Sequence, residues 1–320
     1  MIKRTMTATA LGVALAVALG AGGAVAQDKL KLAIGQKGNW DTAVPELGIR
    51  AGIFNRYGLE LELLYTKGGG ETQQAVIARS ADIGLAAGTL GVMGAFSKGA
   101  PVRIIGAQAT GAADFWYVRA DSPIKTPADL SGKTMAFSTN GSSTHSMVLG
   151  FIEKYKIAAK PTATGDPAGT FTSVMSGQID AGWSSPPFGL DAMAGNKIRL
   201  IWRGNDLEHV RSQTVRTIIA NADELKERPK AFARFIAAYR ETVDYMHSSD
   251  KALAEYADFA KTSIDNAKLV RTDFFSKDMI DPLNFKGAAE LADTAVKFKY
   301  TTEKLTEVQL KELIQIPGAK

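Results

Sequence analysis

From Leu30 onward, short runs of strand period alternate with stretches of helical period. Leu30-Lys-Leu-Ala-Ile34 places Leu30, Leu32 and Ile34 on one face, the two-residue repeat of a strand. Leu59-Glu-Leu-Glu-Leu63 repeats it. Glu71–Ser80 has a helical pattern, and Asp82–Leu85, Val102–Ile105 and Phe115–Val118 predict further strands. A second unit follows, with a strand at Thr134–Phe137 and a helix whose apolar face carries Met147, Val148, Phe151, Ile152 and Tyr155. Strands at Asp180–Trp183 and Ile198–Trp202 complete it. After about Thr217 the pattern turns mostly helical. Pro229 suits a first helical turn, and Phe232, Phe235, Ile236, Tyr239, Val243 and Met246 follow at helical spacing. Leu253, Tyr256 and Phe259 begin another helix. Strands alternating with helices predict an α/β architecture with largely parallel sheets.

The first 26 residues follow neither period. Lys3-Arg4 gives a basic start, Leu11–Leu19 an uncharged apolar run, and Ala24-Val-Ala26 a small-residue cleavage pattern before Gln27. This predicts a secretory signal peptide over 1–26, since the apolar run is shorter than the ~20 residues a membrane span needs. An uncleaved N-terminal anchor is the alternative. Export would place the mature chain in the periplasm, away from ATP and most nucleotide cofactors. The sequence has no cysteine, which excludes disulfides, thiolate metal sites and a lipidated cleavage-site Cys. Its formal charge of +5 falls to about +3 once Lys3 and Arg4 are removed. The charges are interspersed, which argues against a nucleic-acid footprint.

Candidate chemistry gathers in the loops after the strands. Gly35–Trp40, Lys67–Gly70, Ala87–Thr89 and Ser138–Thr144 are small, polar and glycine-rich. In open α/β sheets ligands bind beyond the carboxyl ends of strands, where helix starts offer unpaired N–H groups to an anion. Gly141, Ser142, Ser143 and Thr144 fit such a start, although Ser and Thr also cap helices that bind nothing. The Gly-Lys-Ser/Thr ending of a nucleotide-binding loop is missing, and no Gly-x-Ser-x-Gly surrounds the serines. His145, His209 and His247 are too dispersed for a metal set. Trp40 and Trp183, beside polar loops, are candidate walls for an organic ligand, whereas Trp116 reads as core.

Several phrases, in this order, resemble one family. They are Gln36-Lys-Gly-Asn-Trp40, Gly52-Ile-Phe-Asn-Arg-Tyr-Gly-Leu-Glu60, Ala81-Asp-Ile-Gly-Leu-Ala-Ala-Gly88, Asp121–Lys133, Phe137–His145 and Ser176-Gly-Gln-Ile-Asp-Ala-Gly182. The chain resembles substrate-binding proteins of ABC importers, in the nitrate/sulfonate/taurine and thiamine-precursor branch. The resemblance implies a two-lobed type II periplasmic binding protein that closes on one small molecule and delivers it to a permease. Lobe one would comprise residues 27–117 and 214–320, lobe two residues 118–213, with crossings near Tyr117–Arg119 and Gln213–Arg216. Ligand contacts would fall at Asn39, Trp40, Gly88, Thr89, Ser142, Ser143, Thr144, His145, Trp183, Ser184 and Ser185. Related pyrimidine-synthesising enzymes carry a cysteine cluster, which this chain lacks.

These loops offer hydroxyls, amides and aromatics, with Lys37 as the one nearby charge. That favours a small organic anion, a sulfonate or carboxylate, and leaves a neutral heteroaromatic such as a thiamine-precursor pyrimidine as the alternative. The expected protein is a monomeric, soluble, non-enzymatic binder without cofactor or metal. An extracellular sensor, or a secreted enzyme using His145 with Ser142 or Ser143, are the competing functions.

Overall fold

The computed structural model describes residues 27–318; the expected signal peptide lies outside the described residues. The alternation at Leu30–Ile34 becomes β1 (Asp28–Gly35), which sends Leu30, Leu32 and Ile34 into one core and Ala33 into another across the sheet. β2 (Leu59–Thr66), β3 (Ile83–Gly88), β4 (Val102–Thr110) and β5 (Phe115–Arg119) follow. After them come β6 (Thr134–Phe137), β7 (Lys160–Ala163), β8 (Gly182–Ser184), β9 (Ile198–Arg203) and β10 (Thr214–Asn221).

The first sheet has the order β2-β1-β3-β10-β4. β1 runs parallel to β2 and β3, while β10 is antiparallel to both its neighbours. The second assembly has the same plan. β6 and β7 pair in parallel, a parallel bridge from Met135 to Ala181 leads to β8, and β5 runs antiparallel between β8 and β9. Each unit is thus mostly parallel with one reversed strand in fourth place. That strand arrives directly after the last parallel strand of the other unit. β5 follows β4 through Gly111–Asp114, and β10 follows β9 through a short helical turn ending at Gln213. Helices cover the sheets, as the α/β pattern predicts.

The expected first crossing at Tyr117–Arg119 would divide β5, which lies whole in the second sheet. The pattern was expected to turn mostly helical after about Thr217, but β10 runs on to Asn221. All eight of its residues are buried, because a central strand is covered on both faces and shows no alternation. β7, short and partly exposed, also escaped the pattern.

The C-terminal segment packs back on the first sheet. The Pro229–Ser248 helix buries Phe232, Phe235, Ile236, Tyr239, Val243 and Met246 against the Val44–Arg50 and Ile53–Arg56 helices and β2, as its spacing predicts. Each such burial is worth about 1.5–3 kcal/mol. Tyr256 from the following helix (Asp250–Ala260) packs edge-on against Trp40 at 4.6 Å. The second unit has its own core, in which Trp116 stacks on Trp202 at 4.1 Å and Trp202 on Phe151 at 3.7 Å. No helix of the described residues is long and apolar enough to cross a membrane.

Candidate functional site

The carboxyl ends of the parallel strands in the two sheets face each other. Gly70 N donates to Thr139 Oγ1 across the gap at 3.0 Å. A Cβ built on Gly88 would lie 2.5 Å from the Gly141 carbonyl oxygen and equally close to the Ser143 nitrogen. Glycine here serves close approach of two backbones rather than turn geometry. β3 is shaped for that approach: Ala86 adopts a left-handed φ of 63° within the strand, and its N–H donates to the Gln108 side-chain oxygen. A non-glycine residue in that region costs of order 1–3 kcal/mol, and buried Gln108 holds it there.

At the centre of this junction lies a buried charge cluster. Arg216, opposite Gly88 in the β10–β3 ladder, is 3% exposed. Its Nη1 donates to Asp41 Oδ2 at 2.8 Å, its Nη2 to Asp114 Oδ1, and its Nε to Ser143 Oγ at 3.1 Å. Asp41 comes from the loop after β1, Asp114 from the passage into β5, and Ser143 from the first turn of the Ser143–Tyr155 helix. One guanidinium therefore ties both sheets together. Burial pushes the Asp114 carboxyl above the usual carboxylate range, against the pull of Arg216, and Asp41 adds to the rise. Burial alone would lower the Arg216 pKa, but the two carboxylates outweigh it and hold the guanidinium charged.

The residues expected at the site are placed as follows. Asn39 is buried, donates from Nδ2 to Gln36 Oε1 at 3.3 Å, and leaves Oδ1 without a hydrogen-bond partner among the described residues. Trp40 is buried between Tyr256 and His247, and the indole N–H of Trp40 is likewise unpaired among those residues. Thr89 Oγ1 donates to the Thr214 carbonyl at 2.6 Å. Ser142 caps the Ser143–Tyr155 helix, accepting from His145 N at 3.2 Å, and Thr144 Oγ1 accepts from Ser138 N at 2.9 Å. His145 stacks on Phe137 at 4.3 Å and shares a hydrogen bond with the Tyr300 hydroxyl at 3.0 Å. Trp183 is buried in the second core with its indole N–H unpaired among the described residues. Ser184 donates to the Phe188 carbonyl at 2.9 Å, and fully buried Ser185 has no partner for its hydroxyl among those residues.

The structure therefore brings Gly88, Ser142 and Ser143 into one contact, with Asn39 and Trp40 next to Asp41. Thr89 is engaged with β10 and His145 with Tyr300. The Lys37 ammonium rests over the rings of Tyr65 and Phe259, 5.6 and 5.4 Å from their centroids. Beside it, a cavity of about 330 Å³ runs from Gln36, Tyr65 and Lys67 to Asp166 and Phe188. A second cavity, of about 260 Å³, shares Pro167, Ala168 and Phe188 with it and reaches Tyr117 and Ser184.

Residues 47–252 match the model of the family described as NMT1/THI5 like. The chain belongs to that family. No curated protein matches the sequence. Among solved structures, the chain is similar to the alkanesulfonate-binding protein SsuA from Xanthomonas axonopodis pv. citri bound to MOPS, at 17% identity and a TM-score of 0.72, covering 91% of this chain and 99% of that one. It is similar to the periplasmic nitrate-binding protein NrtA from Synechocystis PCC 6803, at 13% identity and a TM-score of 0.69, covering 90% and 86%. A desulfurization enzyme, DSZB, shares the fold at 15% identity and a TM-score of 0.62, covering 89% and 96%. The periplasmic binding protein fold expected from the sequence is therefore the fold of this NMT1/THI5-like chain, and that fold includes both binders and an enzyme.

The residues that the sequence reading missed are Asp41, Gln108, Asp114 and Arg216. Each had a signal. Asp41 directly follows Asn39-Trp40, Asp114 directly precedes Phe-Trp-Tyr-Val, and Arg216 interrupts the β-branched run Thr-Val-Arg-Thr-Ile-Ile. A charge inside or against such a run is either at an edge or paired in the interior, and here all three are interior. Among the described residues no group of His, Asp and Glu is arranged to hold a metal ion.

Proposed function

We propose that this chain is the solute-binding component of an ABC importer, exported to the periplasm, closing on one small organic molecule and presenting it to a membrane permease. One lobe would be the first sheet with the C-terminal helices, the other the second assembly, and the division would fall at Gly111–Asp114 and Ser212–Gln213. The observation that carries this reading is the buried junction at the carboxyl ends of both sheets. It draws Asp41, Asp114, Ser143 and Arg216 from four separate stretches of chain and leaves several buried polar atoms unpaired. A purely structural seam has little use for such atoms, each of which costs about 1–3 kcal/mol when unsatisfied.

The geometry supports a binder over an enzyme. The His145 imidazole engages Tyr300 rather than Ser142 or Ser143, and the hydroxyls of those serines serve a helix cap and Arg216. It also shifts the balance between the two ligand classes. The organic-anion reading relied on free hydroxyl and N–H donors at the Ser142–Thr144 helix start, and those hydroxyls are engaged within the protein. A heteroaromatic ligand suits the acceptor-rich surroundings of the junction.

Native mass spectrometry of protein recovered from a periplasmic extract tests the reading. One small molecule retained in 1:1 ratio and released unchanged is the expected result. Conversion of that molecule by the protein would make it an enzyme. Retention of nothing, with no change of thermal stability across a solute library, would end the binding proposal.

A further inference from the structure

We propose that the cavity beside the passage from β4 into β5 is a second small-molecule site, separate from the junction, and that it takes an α-amino acid with an apolar side chain. The site is a wedge between the two units and is independent of the solute that the junction holds.

The cavity measures about 330 Å³. That is at the small end of the ~300–1,000 Å³ usual for small-molecule sites, which favour the seams between structural units. Its apolar wall is drawn from both hydrophobic cores. Phe274 packs on the first core, Leu200 of β9 packs on the second, and Met193 touches both. Buried Ala113 and Phe115, from the passage itself, complete that wall. None of these residues lines the two cavities beside Phe188 or belongs to the Arg216 cluster.

Charge enters where the wall is exposed. Arg203 ends β9 opposite Phe115 in the β5–β9 ladder, so the two side chains leave the sheet on one face. The Arg203 backbone N–H donates to Asp206 Oδ2 at 2.7 Å, while its exposed guanidinium has no hydrogen bond or ion pair among the described residues. Asp273, from the C-terminal segment, is the carboxylate of the wall. It is exposed, accepts from the Thr272 hydroxyl at 2.7 Å, and has no basic partner among the described residues. One cation on one unit and one anion on the other thus face a wall that is otherwise apolar, apart from the Asn205 amide. An occupant with a single charge would satisfy one of the two and meet the other as a like charge. An amino acid satisfies both. Its carboxylate can take the Arg203 fork in two parallel hydrogen bonds, and its ammonium can donate to Asp273. Its side chain then lies against Phe115, Leu200 and Phe274. Asn205 offers a further donor, because its Oδ1 accepts from Ala112 N at 2.8 Å and Nδ2 is the end of the amide left over.

The test uses phenylalanine, phenylpropionate and phenethylammonium, which share one apolar body and differ in their charged groups. Their binding to the mature protein is measured by calorimetry. Phenylalanine is expected to bind about tenfold tighter than either analogue. Arg203→Gln is expected to remove its advantage over phenethylammonium, and Asp273→Asn its advantage over phenylpropionate. In native mass spectrometry phenylalanine is expected to add to the molecule that the protein retains, not to displace it. If it displaces that molecule, or binds both variants as it binds the unaltered protein, it sits elsewhere and the inference is overturned while solute binding stands. The inference also falls if none of the three probes binds at millimolar concentration, or if either analogue binds tighter. A protein that retains nothing bears on the solute-binding reading alone, and the calorimetry still decides this site. Should either variant fail to fold, the other variant and the ranking of the three probes on the unaltered protein decide it.

Discussion

Gly91 lies so close to Gly141 that a Cβ built on it would fall 2.1 Å from the Gly141 carbonyl oxygen. Gly91 sits inside the Thr89–Phe96 helix with ordinary helical geometry, so its lack of a side chain serves the contact between the two units and not the backbone. An alanine there would favour the helix by up to about 1 kcal/mol. It would also force the Gly141 loop away from the first sheet. Gly91→Ala is thus expected to leave denaturant stability unchanged or slightly higher, while enlarging the radius of gyration and weakening solute binding at least tenfold. Small-angle scattering and titration check the two halves separately. Unaltered scattering and binding would show that the loop yields without cost.

Removing the Arg216 guanidinium leaves two buried carboxylates facing each other. Arg216→Ala is expected to destabilise the protein by about 3–5 kcal/mol, the usual cost of breaking a buried charge pair from one side. Adding Asp114→Asn should return part of that loss, because it removes one of the stranded charges. The two changes are then strongly non-additive in urea unfolding. Simple additivity would mean that the three groups do not act as one cluster.

Ser142 and Ser143 are adjacent in sequence and separate in role. Ser142→Ala removes a helix cap and is expected to cost about 1 kcal/mol with little effect on the Arg216 cluster. Ser143→Ala takes away the acceptor of a buried Arg216 N–H, so a loss of about 1–3 kcal/mol is expected. Combined with Arg216→Ala, Ser143→Ala should cost almost nothing further, whereas Ser142→Ala should keep its full effect. Thermal unfolding of the two single serine variants, Arg216→Ala and the two double variants checks this.

The sequence carried most of the fold because most elements bury only one face. Alternation in β1 and the helical spacing of Phe232 to Met246 both arise from a boundary between core and solvent. β10 has no such boundary, since β3 and β4 flank it and both its faces are covered. Its residues therefore carried no strand period, and the resemblance placed a crossing near Gln213–Arg216 there instead. The same burial hid the site. Loops rich in Gly and Ser pointed to the strand ends at which Gly88 and Ser143 meet. Arg216, Asp41 and Asp114 are 73 or more positions apart in sequence, and only the order of the strands brings them together. Ser142, Thr144 and His145 read as donors to a ligand because their internal partners, the helix N–H groups, Ser138 and Tyr300, cannot be seen in a linear pattern.

His145 and His209 give the protein a stability that depends on pH with a definite sign. Burial holds His145 below its ordinary value of 6.5. Burial does the same to His209, with Lys297 adding to it. In the window between each lowered value and 6.5 the unfolded chain binds a proton that the native chain refuses. Stability is therefore fully present above about pH 6.5 and is lost as pH falls through that window. At His145 the reason is visible in the contacts. Its Nδ1 accepts from the Gly141 N–H at 3.5 Å and shares a hydrogen bond with the Tyr300 hydroxyl, while the ring stacks on Phe137, and protonation of Nδ1 would remove that acceptor. Urea midpoints measured from pH 7.5 to 5 should fall, and His145→Gln should make the fall shallower while lowering the midpoint at pH 7.5. Asp114, whose carboxyl burial pushes up, contributes with the opposite sign, so the quantity that decides is the difference in slope between the unaltered protein and the variant. Identical slopes would show that His145 takes up its proton in the folded chain as readily as in the unfolded one.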